Sequence, residues 1–305
     1  MAKPLLFHVG YHKTGTTWLQ RRLFTERYGY RQLADHDEIF RTLVQPHGLW
    51  FDPEDMRRLV DRRMVDVAED IVPVVSSEIM VGNPFHGGWG SDIFARRIRE
   101  IAPEARILIT IRSQLKILPS LYMQYLSRGG TMSCEHFFSG IEVPGYYAFD
   151  AKHFHYHRLV ALYQELFGAE NVLVVTQEQL QDDVDGFVRG IAGFSGNEHS
   201  QVLQARDMGK QSPSYPEYAA PVLRRVNHIQ RNIFNPQPVL PIGTGTRGPY
   251  KVMGYVLKTA PFRSVLGDRK RVTDYVKTRF AGTFADSNRR LAEIVRHPLD
   301  LSRYE

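Results

Sequence analysis

The sequence lacks several features that would define whole classes of protein. Its 305 residues include one cysteine, Cys134, so an intramolecular disulfide and a cysteine-based zinc site are both excluded. No apolar run reaches the ~18–20 residues that a membrane-spanning helix needs. The apolar run near residue 5 is too short for a secretory signal and is interpreted as a core strand. Together these absences predict a cytoplasmic protein.

Nucleic acid is not a predicted partner, because the charge is modest and carries no matching pattern. The formal net charge is +6, and charged residues make up 24% of the chain. No zinc-finger, basic-zipper or aromatic-rich RNA-binding pattern is present. A small positive balance favours an anionic ligand or acceptor. No pattern specifies an oligomeric state.

Apolar runs of strand length alternate with segments of helical periodicity over the first two thirds of the chain. Strands are predicted at 5–9, 71–76, 106–111 and 171–180, and helices at 18–24, 54–70, 91–103, 119–128, 153–168, 184–196 and 284–295. This alternation predicts an α/β fold, a three-layer α/β/α arrangement around a mostly parallel sheet. We interpret 1–305 as one domain, with a core at about 1–205 and a turn-rich, helical C-terminal elaboration at about 206–305.

The stretch "FHVGYHKTGTTWLQ", residues 7–20, has the pattern of a phosphate-binding turn between a strand and a helix. Backbone N–H groups around Gly15 and the start of the helix favour an anion. Thr14, Thr16 and Thr17 add hydroxyl groups, and Lys13 adds a positive charge. Thr16 or Thr17 is expected to cap the helix.

This loop differs from the common nucleoside-triphosphate loop, in which lysine directly follows the second glycine. Here Lys13 precedes Gly15 by two positions. The helix start therefore lacks the lysine–serine/threonine pair that holds magnesium, and no acidic residue of the matching kind ends a strand. The prediction is a site without a metal. A degenerate nucleotide kinase or NTPase, a non-catalytic nucleotide-binding protein and a plain glycine–threonine turn remain alternatives.

A second candidate phosphate site begins at Arg112, which follows the strand at 106–111. Ser120 comes eight residues later, near the predicted start of a helix after Pro119. Because ligands lie at the carboxyl ends of parallel strands, Arg112 and Lys13 are predicted on the same edge of the sheet. A guanidinium and a hydroxyl at a helix N-terminus suit a phosphate.

The two stretches together resemble the sulfotransferases that use 3′-phosphoadenosine 5′-phosphosulfate (PAPS). "HKTGTTWLQ" is similar to their 5′-phosphosulfate loop, and "RSQLKILPS" with "YMQYL" to their 3′-phosphate motif. "LYQELFGAENVLVVTQEQL" resembles the mid-domain segment of bacterial and Golgi-type members. The resemblance implies the P-loop-like sulfotransferase fold, with PAPS as co-substrate and its desulfonated form, PAP, as product.

The resemblance also implies roles for individual residues. The 5′ end of PAPS would be held by Lys13, Thr14, Gly15, Thr16 and Thr17, its adenine by Trp18, and its 3′-phosphate by Arg112 and Ser120. Lys210 and Ser212 in "GKQSPS" stand in for a basic loop of the cytosolic members that has no clear copy here.

Transfer of the sulfuryl group requires a stabilised leaving oxygen and a general base. Lys13 is the candidate for the first role. Glu78, which follows the strand at 71–76, is the candidate base, and His86 on the next glycine-rich loop is its rival. A structural ion pair is the alternative role for Glu78.

The acceptor is the least specified part of the prediction. The stretch 221–280 interleaves arginine and lysine with aromatic residues. It suits a carbohydrate or lipid-linked hydroxyl, an amine, or peripheral contact with an anionic membrane. A solvated basic face is the alternative.

Overall fold

A five-stranded, wholly parallel sheet forms the centre of the protein, as seen in a computed structural model. The structure describes residues 3–140, 143, 145–199, 203, 215–238, 252 and 269–304. The strands are β1 (Leu6–His8), β2 (Tyr30–Ala34), β3 (Val72–Ser76), β4 (Arg106–Ile111) and β5 (Val172–Thr176). Their order across the sheet is β2-β3-β1-β4-β5. β1 is therefore the central strand, with β3 on one side and β4 on the other.

Helices connect the strands. They are α1 (Thr16–Trp18, continued as a π-helical turn at Leu19–Leu23), α2 (His36–Ile39, continued likewise at Phe40–Val44), α3 (Pro53–Met64), α4 (Ser91–Ile101), α5 (Gln114–Ser127), α6 (Cys134–Ser139), α7 (Tyr156–Phe167), α8 (Gln177–Asp182), α9 (Val184–Ser195), α10 (Ala220–Asn227), α11 (Arg271–Arg279) and α12 (Ala285–Ile294).

Alternation of side chains along the strands produces two apolar layers. On β1, Phe7 belongs to one buried cluster and Leu6 to the other. On β4, Ile107 and Ile109 join the first cluster and Leu108 the second. Helices α4, α5 and α7 pack on the first face, and α1 and α9 on the second. The predicted three-layer α/β/α fold is confirmed.

Several element boundaries differ from the prediction. Strand β2 was not predicted, because Arg31 and Gln32 interrupt its apolar pattern. The stretch 171–180 is β5 followed at once by α8, whose first turn is closed by a capping box between Thr176 and Gln179. The helix expected over 153–168 begins only at Tyr156, after a short 3₁₀ turn at Ala151–Phe154.

The end of the described chain packs back on the core. Helix α12 confirms the helix predicted there, and Asn288 exchanges two amide hydrogen bonds with Gln114 at the start of α5, at 2.8 and 3.2 Å. Tyr304 donates a hydrogen bond to Glu178 at 3.0 Å. Within the described ranges, no helix has the length and apolar character needed to cross a membrane.

Candidate functional site

The β1–α1 loop fits closely against β4 because residue 10 is glycine. A Cβ atom at Gly10 would lie 2.1 Å from Thr110 Oγ1 and 2.7 Å from both His8 Nε2 and Thr16 Cγ2. No real carbon atom tolerates such distances. The sequence placed Gly10 only at the end of the strand, yet it is the residue that lets the loop approach the sheet.

Two residues give the loop its turn. Lys13 has φ +65°, the one positive value among the described residues other than glycine, and Gly15 has φ +95°. A left-handed conformation at a lysine is sparsely populated and is usual at functional sites. Gly15 is the N-cap of α1 and offers no side chain to cap it. The expectation that Thr16 or Thr17 caps the helix is therefore wrong, since both lie inside it.

The three threonines of the loop face different surroundings. Thr14 is buried, donates a hydrogen bond to the Tyr11 carbonyl at 2.5 Å and lies 2.7 Å from Thr110 Oγ1. Among the described residues, the hydroxyl groups of Thr16 and Thr17 have no hydrogen-bond partner. Among the three threonines of the loop, Thr16 and Thr17 therefore have the hydroxyls that are available to a bound anion.

Lys13 and Arg112 meet at the carboxyl edge of the sheet, as predicted. Arg112 Nη1 donates a hydrogen bond to the Lys13 carbonyl at 3.3 Å. Tyr156 donates to the Arg112 carbonyl at 2.7 Å, which fixes the backbone after β4. Burial lowers the pKa of both cations, and each also lies near a carboxylate that opposes this shift, Glu78 for Lys13 and Glu178 for Arg112.

Arg112 and Ser120 line one cavity of about 720 Å³. Ser120 is not at a helix N-terminus as expected, because α5 begins at Gln114 and contains Pro119. A proline inside a helix cannot donate the hydrogen bond from its own nitrogen, yet α5 continues through Pro119 to Ser127. Ser120 is thus the seventh residue of the helix, and it reaches the cavity from the helix side rather than from its first turn.

The same cavity contains further cations that the sequence did not single out. Lys116, Arg269, Lys270, Lys277 and Arg303 line it. Arg269 and Lys270 belong to the predicted basic stretch 221–280, but the run "DRKR" could not be told apart there from other basic residues. Lys210 and Ser212, the expected stand-ins for the basic loop, lie outside the described residues, as do Arg247, Lys251, Lys258 and Arg263 of the stretch 221–280.

Glu78 lies beyond the end of β3, on a 3₁₀ turn (Glu78–Val81) whose N-cap is Ser77. Its charge opposes the lowering of the pKa of Lys13 and of Arg128 by burial, which places the carboxylate near both. In the part of the chain that the structure describes, Glu78 has neither an ion-pair partner nor a hydrogen-bond donor. The alternative of a structural ion pair is therefore not found among these residues.

Arg128 is the cation at this centre that sequence reasoning missed. It follows α5, sixteen residues after Arg112, and its guanidinium lies 5.5 Å above the ring of Phe85. Burial lowers its pKa, and Glu78 opposes that effect. The interactions of Arg128 with His12 and Lys13 place it beside the loop. No motif marks this residue, since α5 alone carries it to the site.

The histidines differ in exposure. His8 and His12 are buried and His153 is half-buried, and loss of solvation lowers their pKa values to about 3, about 3 and about 4. His86, the rival base, is exposed at the end of a turn. Within the described ranges, no three histidine, cysteine, aspartate or glutamate side chains are grouped to hold a metal ion.

Trp18 is buried and Cys134 is half-buried. Trp18 is 8% exposed and belongs to the second apolar cluster, so little of its ring is available to stack on an adenine. Burial raises the pKa of the Cys134 thiol to about 12. An uncharged thiol is a poor nucleophile, which agrees with a role for Cys134 in packing.

Neither a protein-family model nor a curated protein matches the sequence. Solved structures do match the fold. A sulfotransferase from Alicyclobacillus acidocaldarius aligns with a TM-score of 0.52 and 22% identity, covering 77% of this chain and 98% of that one. Mouse sulfotransferase SULT7A1 complexed with PAP aligns with a TM-score of 0.39 and 14% identity, over 95% and 89% of the two chains. The first alignment shows that the chain has the fold of a sulfotransferase.

Proposed function

We propose that this protein is a sulfotransferase that moves the sulfuryl group of PAPS to an acceptor hydroxyl or amine. The observation that carries the proposal is the contact between Arg112 and the Lys13 carbonyl. This contact links the β1–α1 loop, which has the pattern of a phosphate-binding turn, to a cavity lined by six basic side chains. PAPS bears a 5′-phosphosulfate and a 3′-phosphate, so it requires two neighbouring anion sites of this kind.

The proposed reaction is an in-line displacement at sulfur. The acceptor oxygen forms a bond to sulfur while the bond from sulfur to the bridging oxygen breaks, and PAP leaves. Negative charge develops on that bridging oxygen. In the proposed mechanism Lys13, which has a left-handed backbone in the loop, stabilises this charge. Glu78 takes the proton from the acceptor, since its carboxylate has no other partner among the described residues.

Arg128 completes the proposed centre. With Lys13 it places two cations beside Glu78. A sulfuryl group in transfer carries charge on three oxygens, and one lysine at the bridging oxygen does not contact them all. Arg128 is the cation available for the remaining oxygens, and its guanidinium suits such oxyanions. No metal ion is part of this proposal.

The first test compares two nucleotides. A ligand that binds only the native state raises the melting temperature. We expect PAP, which is 3′,5′-ADP, to raise it by several degrees, and 5′-ADP with magnesium to do much less. Lys13→Ala and Arg112→Ala should each remove the difference between the two nucleotides. Arg63→Ala changes an exposed arginine that pairs with Glu38 away from the site, and it should keep the difference.

Equal stabilisation by the two nucleotides would overturn the proposal and favour a degenerate kinase or NTPase. PAP binding without any turnover would favour a non-catalytic nucleotide-binding protein. Turnover is measured with sulfur-labelled PAPS against carbohydrates, lipid-linked alcohols and amines. We propose a carbohydrate or lipid-linked hydroxyl as the acceptor, because a basic, aromatic-containing stretch precedes Arg269.

A further inference from the structure

A chain of buried hydrogen bonds connects three strands to the β1–α1 loop. Ser76 on β3 lies 2.7 Å from His8 Nδ1, and His8 Nε2 lies 3.2 Å from Thr110 Oγ1 on β4. Thr110 Oγ1 lies 2.7 Å from Thr14 Oγ1, which is 2.5 Å from the Tyr11 carbonyl. We call these five groups the hydroxyl–imidazole chain. The four side chains are at most 3% exposed.

With a neutral His8 ring, only one arrangement of protons satisfies every member of this chain. The Tyr11 carbonyl can only accept, so Thr14 must donate its one hydroxyl proton there. Thr14 must then accept from Thr110, whose proton is likewise used. Thr110 must therefore accept from His8, so the proton of the neutral ring lies on Nε2. Nδ1 is left to accept from Ser76.

Burial supports the neutral ring, since it lowers the pKa of His8 to about 3. A doubly protonated ring would instead donate from Nδ1 to the Ser76 hydroxyl, and it would carry a buried charge, which loss of solvation disfavours. The chain is thus fixed in both geometry and direction. Buried networks with every group satisfied hold their members in one conformation.

From this arrangement we infer that His8 and Thr110 are positioning residues, which set the backbone of the loop that presents Lys13 to the leaving oxygen. It follows that the Thr14 hydroxyl anchors the loop from within and donates nothing to the nucleotide. The inference rests on the proposed function for its kinetic consequence, but the proton arrangement stands independently of it.

The first test therefore needs no activity. In protein labelled with ¹⁵N-histidine, the imidazole nitrogen shifts of His8 should show a protonated Nε2 and an unprotonated Nδ1 at pH 7. A proton on Nδ1 would overturn the inference, whatever the protein transfers. A charged ring would overturn it equally.

The second test removes one hydroxyl from the chain. Thr110→Val keeps the shape of the side chain but leaves His8 Nε2 and Thr14 Oγ1 without their partners. We expect PAP affinity and kcat each to fall about tenfold, because displaced catalytic groups lose rate steeply. The KM for the acceptor should stay within twofold. Thr110→Ser restores the hydroxyl and should recover most of both losses.

Thr42→Val is the matched control. Thr42 also donates a partly buried hydrogen bond, to the Glu38 carbonyl at 2.8 Å. However, it lies on the π-helical turn that continues α2, away from the β1–α1 loop. It should lower the melting temperature without changing PAP affinity or kcat. If Thr110→Val behaves like Thr42→Val, the chain is only structural and the inference fails. If wild-type protein gives no response to PAP, the proposed function fails instead.

Discussion

Glu78 combines properties that seldom occur together in a structural carboxylate. It lies near Lys13 and Arg128, yet among the described residues it forms no ion pair and accepts no hydrogen bond. Glu78→Gln should therefore leave the response of the melting temperature to PAP intact. Turnover should fall by about 10²–10⁴-fold, the usual contribution of a general base. Labelled PAPS with any acceptor found in the screen provides the measurement.

His86→Gln distinguishes the two candidate bases. His86 is exposed on its turn, whereas Glu78 lies half-buried at the centre. We expect His86→Gln to keep turnover within a few-fold of wild type. If Glu78→Gln keeps turnover and His86→Gln loses it, then His86 is the general base and Glu78 is not.

The β1–α1 loop, which carries Lys13, can pack closely against β4 because Gly10 has no Cβ atom. Gly10→Ala would place Cβ 2.1 Å from Thr110 Oγ1, so the loop must move away from β4. We expect a loss of more than about 2 kcal/mol in the free energy of unfolding, together with loss of PAP binding. Urea denaturation with and without PAP measures both.

Gly190→Ala is the matched control for that substitution. Gly190 lies inside α9, and an added Cβ meets nothing within 4 Å. Alanine in the interior of a helix is more stable than glycine by about 0.5–1 kcal/mol. Replacing glycine by alanine should therefore lower the free energy of unfolding at position 10 and raise it at position 190. A neutral Gly10→Ala would show that the loop is not held against β4.

Elements with a single strong periodicity could be predicted from the sequence, and elements held by tertiary contacts could not. The buried strands β1, β3, β4 and β5 were predicted because their sequences are mainly apolar. Strand β2 was missed, as its polar Gln32 is satisfied by carbonyl groups of the α1 segment. Pro119 was interpreted as a helix start, although α5 runs through it.

The residues of the candidate site also fall into those that could be predicted from the sequence and those that could not. Lys13, Arg112 and Glu78 were predicted, because each directly follows a recognisable strand or lies in a motif. Arg128 and the pair Arg269–Lys270 were not, because only the path of the chain brings them to the centre. The hydroxyl of Thr14 was expected to face the ligand, but contacts with β4 turn it inward.

At the scale of the whole molecule, buried histidines make stability depend on pH. His8, His12 and His153 have folded-state pKa values of about 3, 3 and 4, below the value of about 6.5 expected in the unfolded chain. As pH falls below about 6.5, the unfolded chain binds protons that the folded protein excludes. Stability is therefore greatest above this pH and decreases toward pH 4.

The expected decrease between pH 7 and 5.5 is about 1 kcal/mol for each of the three histidines. Urea denaturation at several pH values measures it in a window where carboxylates titrate little. His153→Gln should remove about 1 kcal/mol of the decrease, the contribution of one such histidine. A free energy of unfolding that stays constant over this window would contradict the burial of neutral rings.

The amide pair between Gln114 and Asn288 has a consequence for the order of folding. It closes a loop of 174 positions around the first turn of α5, the helix that connects Arg112 to Arg128. Contacts so distant along the chain form late, since their closure entropy must be met first. During synthesis, the Lys13 loop can pack against its strands long before this turn acquires its partner. On the proposed function, binding of PAP would then report that α12 has docked on α5.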